Sequence, residues 1–336
     1  MRAIVLYGHG ERDQLVYELD YPDPQPGPHD VLLRVGATSV NYHDIFTRRG
    51  MPGIKIDFPL IAGCDLAGAI VKTGEEVAAW SPGDRVLVDP IRIEEGVYKL
   101  VGETTNGGRA ELVTVHASSL IRLPDSLGYE AAACLPTAYA TAYRMMSTRG
   151  AVDTGDTVLV LGASGGVGTA CVLLAKQVGA EVIACTTSAT KAEQLCALGA
   201  DHVIDYTTHD LRSEIYRLCG KPRIVGGGGV SVVVNFTGGD TWVPSLHCLR
   251  KGGRLLTCGA TAGFSPRTDL RYIWSFEQTI LGSDSWTRNE LESIVAMARM
   301  GCLEPVIGVV LPLNEAAEAE RLLEDREIIG KIVLVP

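Results

Sequence analysis

The sequence carries no excess of basic charge: its 336 residues hold 30 lysines and arginines against 40 aspartates and glutamates, a formal net charge of −10. Nonspecific nucleic-acid binding draws on a positive surface, so a nucleic-acid partner is not expected. No long uncharged apolar run is present, which argues against a helical membrane span. Met1-Arg2-Ala3-Ile4-Val5 enters strand-like sequence with no apolar secretory segment, and a cytoplasmic location is expected. The nine cysteines form no CxxC pair and the seven histidines no HExxH, which removes the compact zinc and redox spacings those patterns carry. Scattered through apolar or helical surroundings, the thiols read as reduced and mostly buried.

What the chain does contain is an apolar run, Thr157-Val158-Leu159-Val160-Leu161, that enters the turn Gly162-Ala163-Ser164-Gly165-Gly166-Val167-Gly168 and opens a helix. A glycine turn between strand and helix presents backbone N–H groups to a dinucleotide pyrophosphate. Gly165 lets the backbone approach the phosphates, Gly166 tightens the entry and Gly168 lets the helix pack on the preceding strand, while Ala163 stands where the usual fingerprint has its first glycine. The helix pattern Ala170 to Gly179 and the apolar run Val182-Ile183-Ala184-Cys185 complete a strand–helix–strand unit. An NAD site ends this second strand with a carboxylate for the ribose hydroxyls, about 20 residues past the first glycine. Here Thr186 falls there, followed by Ser188 and Lys191: hydroxyl donors and a cation for a 2′-phosphate. NADPH is expected over NADH. The competing reading is that Ser188 only caps a helix and Lys191 only decorates it.

The length suggests two domains, each able to bury a core. Strand candidates Ala3–Tyr7, Val31–Val40, Ala67–Thr73, Arg85–Asp89 and Ala110–Val115 make the first part β-rich, with prolines 22, 24, 26 and 28 as a rigid loop. After Pro124-Asp125 the pattern changes. Strand candidates at 202–204, 230–236 and 254–258 alternate with helices, as in a mainly parallel sheet covered by helices, so the fold class is α/β. The four glycines before Val230 read as a surface connection, because no Lys-Ser or Lys-Thr follows them. The final run Lys331–Val335 is expected to return to the first domain.

These landmarks, in order, resemble the medium-chain dehydrogenase/reductase superfamily, and in particular its zinc-free quinone oxidoreductase branch. Those carrying the resemblance are Ser39-Val40-Asn41-Tyr42-His43-Asp44, Pro59 to Gly68, Gly83-Asp84-Arg85-Val86, Gly107-Gly108-Arg109-Ala110-Glu111, the nucleotide turn, and Gly330-Lys331-Ile332-Val333. The resemblance implies a β-rich GroES-like catalytic domain of residues 1–124 and 265–336, and a doubly wound Rossmann domain of residues 125–264. It also implies that Gly238 and Cys258-Gly259-Ala260 line the cofactor, that Tyr206 approaches its adenosine side, that Thr137 bonds the nicotinamide carboxamide and that Lys331 contacts the cofactor. Relatives of this kind are commonly homodimers or homotetramers. In the zinc-dependent relatives the catalytic ligands would fall on Asn41, Cys64 and Thr137, with the neighbouring acid at Asp65, and the structural-zinc lobe on the cysteine-free stretch 90–106. Loss of these donors removes the basis for zinc affinity, and no metal is expected.

The chemistry this implies is hydride transfer from NADPH to a quinone or an α,β-unsaturated carbonyl compound, a small-molecule substrate whose carbonyl oxygen accepts a hydrogen bond from Asn41 or Tyr42. The proton is expected from Tyr42, His43 or water, and the residues of this turn have structural alternatives: Tyr42 as a packing ring, His43 as a satisfied histidine, Asp44 as a turn residue. Two other functions stay open, an alcohol or aldehyde dehydrogenase and a non-catalytic NADPH-binding structural protein. Apolar walls for the substrate are sought among Met51, Pro52, Ile54, Ile56, Phe58, Ile91, Ile93, Tyr272, Trp274 and Phe276, where core or subunit contacts are equally open.

Overall fold

Strand Asp30–Val40 is the spine of the first unit, because most of its eleven residues are buried and it pairs with three other strands. The computed structural model describes residues 1–53 and 55–336. By packing, the chain divides into Met1–Ala138 with Leu291–Pro336, and Tyr139–Glu290.

In the first unit, the main sheet runs in the order Leu120–Arg122, Arg85–Val88, Asp65–Thr73, Asp30–Val40, Lys331–Val335, Ile307–Pro312, with Leu112–His116 also pairing Asp30–Val40. The expected return of the last run is met: Lys331–Val335 pairs antiparallel with Thr38, Ser39 and Val40. Ile332, Val333 and Leu334 are buried, and each contributes roughly 1.5–3 kcal/mol by leaving water. A second sheet joins Val16–Glu18, Ala3–Leu6 and Leu60–Ile61. The stretch 90–106 forms the hairpin Ile91–Glu94 and Val97–Leu100, on which Ile93 is exposed.

The second unit is built on six parallel strands in the order His202–Asp205, Glu181–Thr186, Thr157–Val160, Val230–Val234, Leu249–Thr257, Thr279–Gly282. Renumbered from Thr157–Val160, this is the doubly wound order 3-2-1-4-5-6. The central strands read as unbroken apolar runs because helices cover both faces. Both expected boundaries shift, from 124/125 to 138/139 and from 264/265 to 290/291, and Thr279–Gly282 gives the reason for the second. It pairs in register with Arg254–Thr257 and carries the second unit to Glu290. Its mostly exposed residues give it no core signature, so only backbone pairing reveals its allegiance. The helix expected from Ala170 begins earlier, at Gly166. No helix among the described residues is long and apolar enough to cross a membrane.

Candidate functional site

In the second unit, strand order reverses between Thr157–Val160 and Val230–Val234, and ligands of such sheets bind outside the carboxyl ends of strands at that point. The turn 162–168 lies there. Gly162 takes φ +66°, a conformation that strains any side chain, and sequence reading passed over it in favour of Ala163. A Cβ on Gly168 would sit 2.2 Å from the Gly162 carbonyl oxygen and 2.6 Å from Ala163 Cα, so only glycine permits this helix–strand approach. A Cβ on Gly165 would make only an ordinary 3.6 Å contact with the Gly162 oxygen. The fold does not demand glycine at 165. Gly165 is the N-cap of helix Gly166–Gln177 and contributes no side-chain bond, so no side chain of the cap residue engages the first-turn amides.

The other expected contacts cluster on the same rim. Thr186 ends its strand with its hydroxyl buried and without a partner, an unmet polar group where a ribose or phosphate oxygen would lie. Ser188 is the N-cap of helix Ala189–Ala197 but makes no side-chain capping bond, and Lys191 is buried in that helix's first turn. Tyr206 packs against the core, and its N–H donates to the Thr186 carbonyl. Gly238 takes φ +68°, and a Cβ there would meet the Gly263 oxygen at 2.5 Å. Buried Asn235, which carries no motif signal, shapes this loop: its Oδ1 accepts from the N–H groups of Thr237 and Gly238 at 3.0 and 2.9 Å. Beyond the next strand, Cys258 leads into Gly259 and Ala260, and burial pushes its thiol up to about 12, so it is not a thiolate near neutral pH.

In the first unit, the polar groups around Asn41 converge in a buried cluster. Asn41 precedes helix Tyr42–Arg49; its Nδ2 donates to Asp65 Oδ2 at 2.9 Å, and its Oδ1 accepts from Lys331 Nζ. Lys331 also donates to the Val40 carbonyl at 3.0 Å and lies 3.7 Å from Asp65. Asp65 further accepts from the Thr137 hydroxyl at 2.7 Å, the Thr137 N–H at 3.1 Å and Ser39 Oγ at 3.2 Å. Burial pushes the Asp65 carboxyl above its ordinary range, while Lys331, Thr137 and Asn41 pull it back. Burial holds the Cys64 thiol well above its usual value, and its Sγ lies 3.5 Å from both Asn41 Nδ2 and Thr137 Oγ1. Thr137 and Lys331, both expected at the cofactor, thus spend their polar groups on Asp65 and Asn41. Lys331 is only 3% exposed, and its ammonium belongs to this cluster.

Around the cluster runs a buried ion network. Asp44 Oδ2 accepts the Asn41 N–H at 2.8 Å and faces Arg109 at 3.2 Å; Arg109 pairs with Glu320 at 2.5 Å, and Glu320 with Arg48 at 2.6 Å. His43 Nε2 lies 2.7 Å from Glu103, off the ring's N–H direction. Burial disfavours its cationic form, but Glu103 and the nearby Asp44 outweigh this, and the imidazole titrates above its ordinary value. The Tyr42 hydroxyl lies 3.5 Å from the Leu323 carbonyl.

The proposed apolar walls are not one surface. Phe58 packs edge-on against His9, and Trp274 is exposed. Tyr272 and Phe276 stack with centroids 5.6 Å apart and line a cavity of about 360 Å³ with Tyr216 and His247, within the second unit. Ile54 lies outside the described residues.

Zinc does not suit the Asn41 cluster. A tetrahedral site needs three or four thiolate, imidazole or carboxylate donors. Here the amide and the hydroxyl are weak donors, the thiol is a single strong one, and Asp65 is already engaged by four donors beside an ammonium. Among the described residues no group of three or more His, Cys, Asp and Glu is gathered for a metal.

Residues 27–125 match the family described as "Alcohol dehydrogenase GroES-like domain", and residues 166–299 the one described as "Zinc-binding dehydrogenase". The chain is 30% identical over 352 aligned positions to the acryloyl-coenzyme A reductase of Sulfurisphaera tokodaii, with both proteins covered in full. Among solved structures it is similar to an NAD-dependent alcohol dehydrogenase, at a TM-score of 0.92 and 34% identity with both chains covered in full. It is also similar to the 2-octenoyl-CoA carboxylase reductase CinF, solved in complex with NADP and 2-octenoyl-CoA, at a TM-score of 0.85 and 29% identity over 96% of this chain and 82% of that one. The doubly wound unit, the GroES-like match and the full-length likeness agree that the chain belongs to the medium-chain dehydrogenase/reductase superfamily, as an oxidoreductase related to enoyl-CoA reductases.

Proposed function

We propose that this protein is an NADPH-dependent, metal-independent reductase of conjugated carbonyl compounds, with enoyl thioesters, enones and quinones as its substrate class. The observation that supports this reading is the cluster itself: an amide, a thiol and a hydroxyl, those of Asn41, Cys64 and Thr137, stand where an alcohol dehydrogenase of this fold would need metal ligands, and a buried ammonium lies beside them. A conjugated carbonyl needs only modest polarisation, which hydrogen bonds supply. The similarity to acryloyl-coenzyme A reductase and to a CoA-thioester reductase solved with NADP supports both cofactor and substrate class.

NADPH bound at the glycine turn would supply the hydride. The amides of Gly166, Val167 and Gly168 hold its pyrophosphate, and Thr186, Ser188 and Lys191 its 2′-phosphate. Asn41 spends one N–H on Asp65; the other has a long contact to Ser39 O and a bond to the weak acceptor Cys64 Sγ, both at 3.5 Å, and exchanges these for the substrate carbonyl oxygen. Tyr42 is the second candidate donor. His43, whose cationic form Glu103 favours, is a candidate proton source for the carbon beside the carbonyl. The same reading makes the protein a cytoplasmic homodimer or homotetramer.

The test is NADPH oxidation across a panel of enoyl thioesters, enones, quinones, aldehydes and alcohols, with and without a chelator. Chelator-insensitive reduction of at least one conjugated carbonyl is expected. The 34% identity to an alcohol dehydrogenase makes alcohol oxidation the specific rival. Robust alcohol oxidation with no conjugated-carbonyl reduction overturns the proposal. For the cofactor, Lys191→Ala should weaken NADPH roughly 10- to 100-fold more than NADH, since a charge-assisted bond to phosphate is worth about 1.5–3 kcal/mol. Equal losses for the two cofactors would remove Lys191 from the phosphate site.

A further inference from the structure

A lysine ammonium buried in a protein interior needs acceptors, and Lys331 finds two a long way back in the sequence, the Val40 carbonyl and the Asn41 side-chain oxygen. An amide oxygen facing an ammonium cannot exchange places with its nitrogen, because the flipped amide would turn two N–H donors toward three more. Lys331 therefore decides which end of Asn41 faces Asp65. Asp65 fixes the other end from the opposite side, accepting from Nδ2 at 2.9 Å. The backbone of Asn41 is held separately, by Asp44 at 2.8 Å. Of the cations nearby, Arg109 is committed to Asp44 and Glu320 and makes no bond to the Asn41 side chain.

We propose that Lys331 is a positioning residue: its ammonium locks the Asn41 amide in the orientation that leaves one N–H, held only by the weak acceptor Cys64 Sγ and a long contact to Ser39 O, to turn to the substrate oxygen, and it makes no contact with the cofactor. The proposal rests on the reading of Asn41 as the carbonyl donor given above. Its position on a strand paired with the strand that ends at Val40 supplies the geometry, since Ile332 and Val40 are register partners and the side chain of the preceding residue reaches the strand's end.

Lys331→Met and Lys331→Gln separate positioning from charge balance. Both remove the cation beside Asp65, so both should lower the thermal midpoint by similar amounts. Glutamine can still donate to Asn41 Oδ1 and methionine cannot. With a conjugated carbonyl that the wild-type protein reduces, kcat is expected to fall roughly 30- to 300-fold in Lys331→Met, as for loss of an oxyanion donor, and to recover about tenfold of that in Lys331→Gln. The NADPH dissociation constant should stay within about threefold in both variants, far inside the tenfold that 1.4 kcal/mol of lost contact would give. A second readout needs no turnover. The Asn41 side-chain amide, assigned in ¹⁵N spectra by its loss in Asn41→Asp, should exchange slowly with solvent in the wild type and faster in Lys331→Met. The proposal is overturned if kcat follows the thermal midpoint equally in both variants, if NADPH affinity drops tenfold, or if Asn41 exchange is unchanged. If the wild-type protein reduces no conjugated carbonyl while the exchange result holds, the functional reading fails and the lock stands.

Discussion

Glu320→Ala should destabilise the first unit by about 3–5 kcal/mol, the range for breaking a buried ion pair by removing one partner. Glu320 is fully buried and holds two fully buried arginines, Arg48 at 2.6 Å and Arg109 at 2.5 Å. Without it, Arg48 keeps Glu324 and the Gly10 carbonyl, but Arg109 keeps only Asp44 at 3.2 Å, with no directed bond from that nitrogen. Glu318, two residues away on the same helix, is the control. Its pairing with Arg321 is at the surface, and Glu318→Ala should change stability by no more than about 1 kcal/mol. Urea titration followed by a probe in the first unit measures the difference, because two units need not unfold together. Similar midpoints for the two variants would show that the network relaxes around the loss. The consequence reaches the site, since Arg109 holds Asp44 and Asp44 holds the Asn41 N–H.

This network also marks where sequence reading stops. The glycine turn is legible because its signal is local: a strand, a turn and a helix follow one another between Thr157 and Gln177, and the positions that must lack a side chain are written as glycines. The alternation of strands and helices gives the parallel sheet for the same reason. Arg109 and Glu320 are 211 residues apart, and Lys331 and Asn41 are 290 apart. Nothing near either residue of a pair announces the other. Lys331 stands in a motif whose likeness assigns it to the cofactor, and only the pairing of its strand with Thr38–Val40 turns its ammonium toward Asn41. Asn235 has no motif and shapes the Gly238 loop through two backbone bonds that a single sequence cannot display. The edge strand Thr279–Gly282 was missed because exposed residues carry no periodic burial, and the domain boundary moved with it. The site's residue types were legible; their partners were not, because pairing is a property of the closed sheet.

Gly168→Ala should weaken NADPH binding at least roughly a hundredfold, a loss of about 2.7 kcal/mol. The added Cβ would lie 2.2 Å from the Gly162 carbonyl oxygen, 2.6 Å from Ala163 Cα and 2.7 Å from the Ala163 carbonyl carbon, all backbone atoms with no rotamer to escape through. Relief requires the helix Gly166–Gln177 to move away from strand Thr157–Val160, which costs about 1–3 kcal/mol as overpacking. The same movement carries the helix's first amides away from the phosphate position, where hydrogen bonds to a charged group are worth about 1.5–3 kcal/mol each. The strain lowers stability, whereas loss of two such bonds at the phosphate position, about 3–6 kcal/mol, exceeds the predicted loss in binding. Gly155→Ala is the matched control: its Cβ would make a single 3.5 Å contact, with Asp153 Oδ1, in a loop before the same strand. Titrating NADPH fluorescence against wild type and the two variants should show the loss in Gly168→Ala alone, with NADH following the same order because the pyrophosphate is common to both. Undiminished affinity in Gly168→Ala would remove the glycine turn from the cofactor site, whatever substrate the protein reduces.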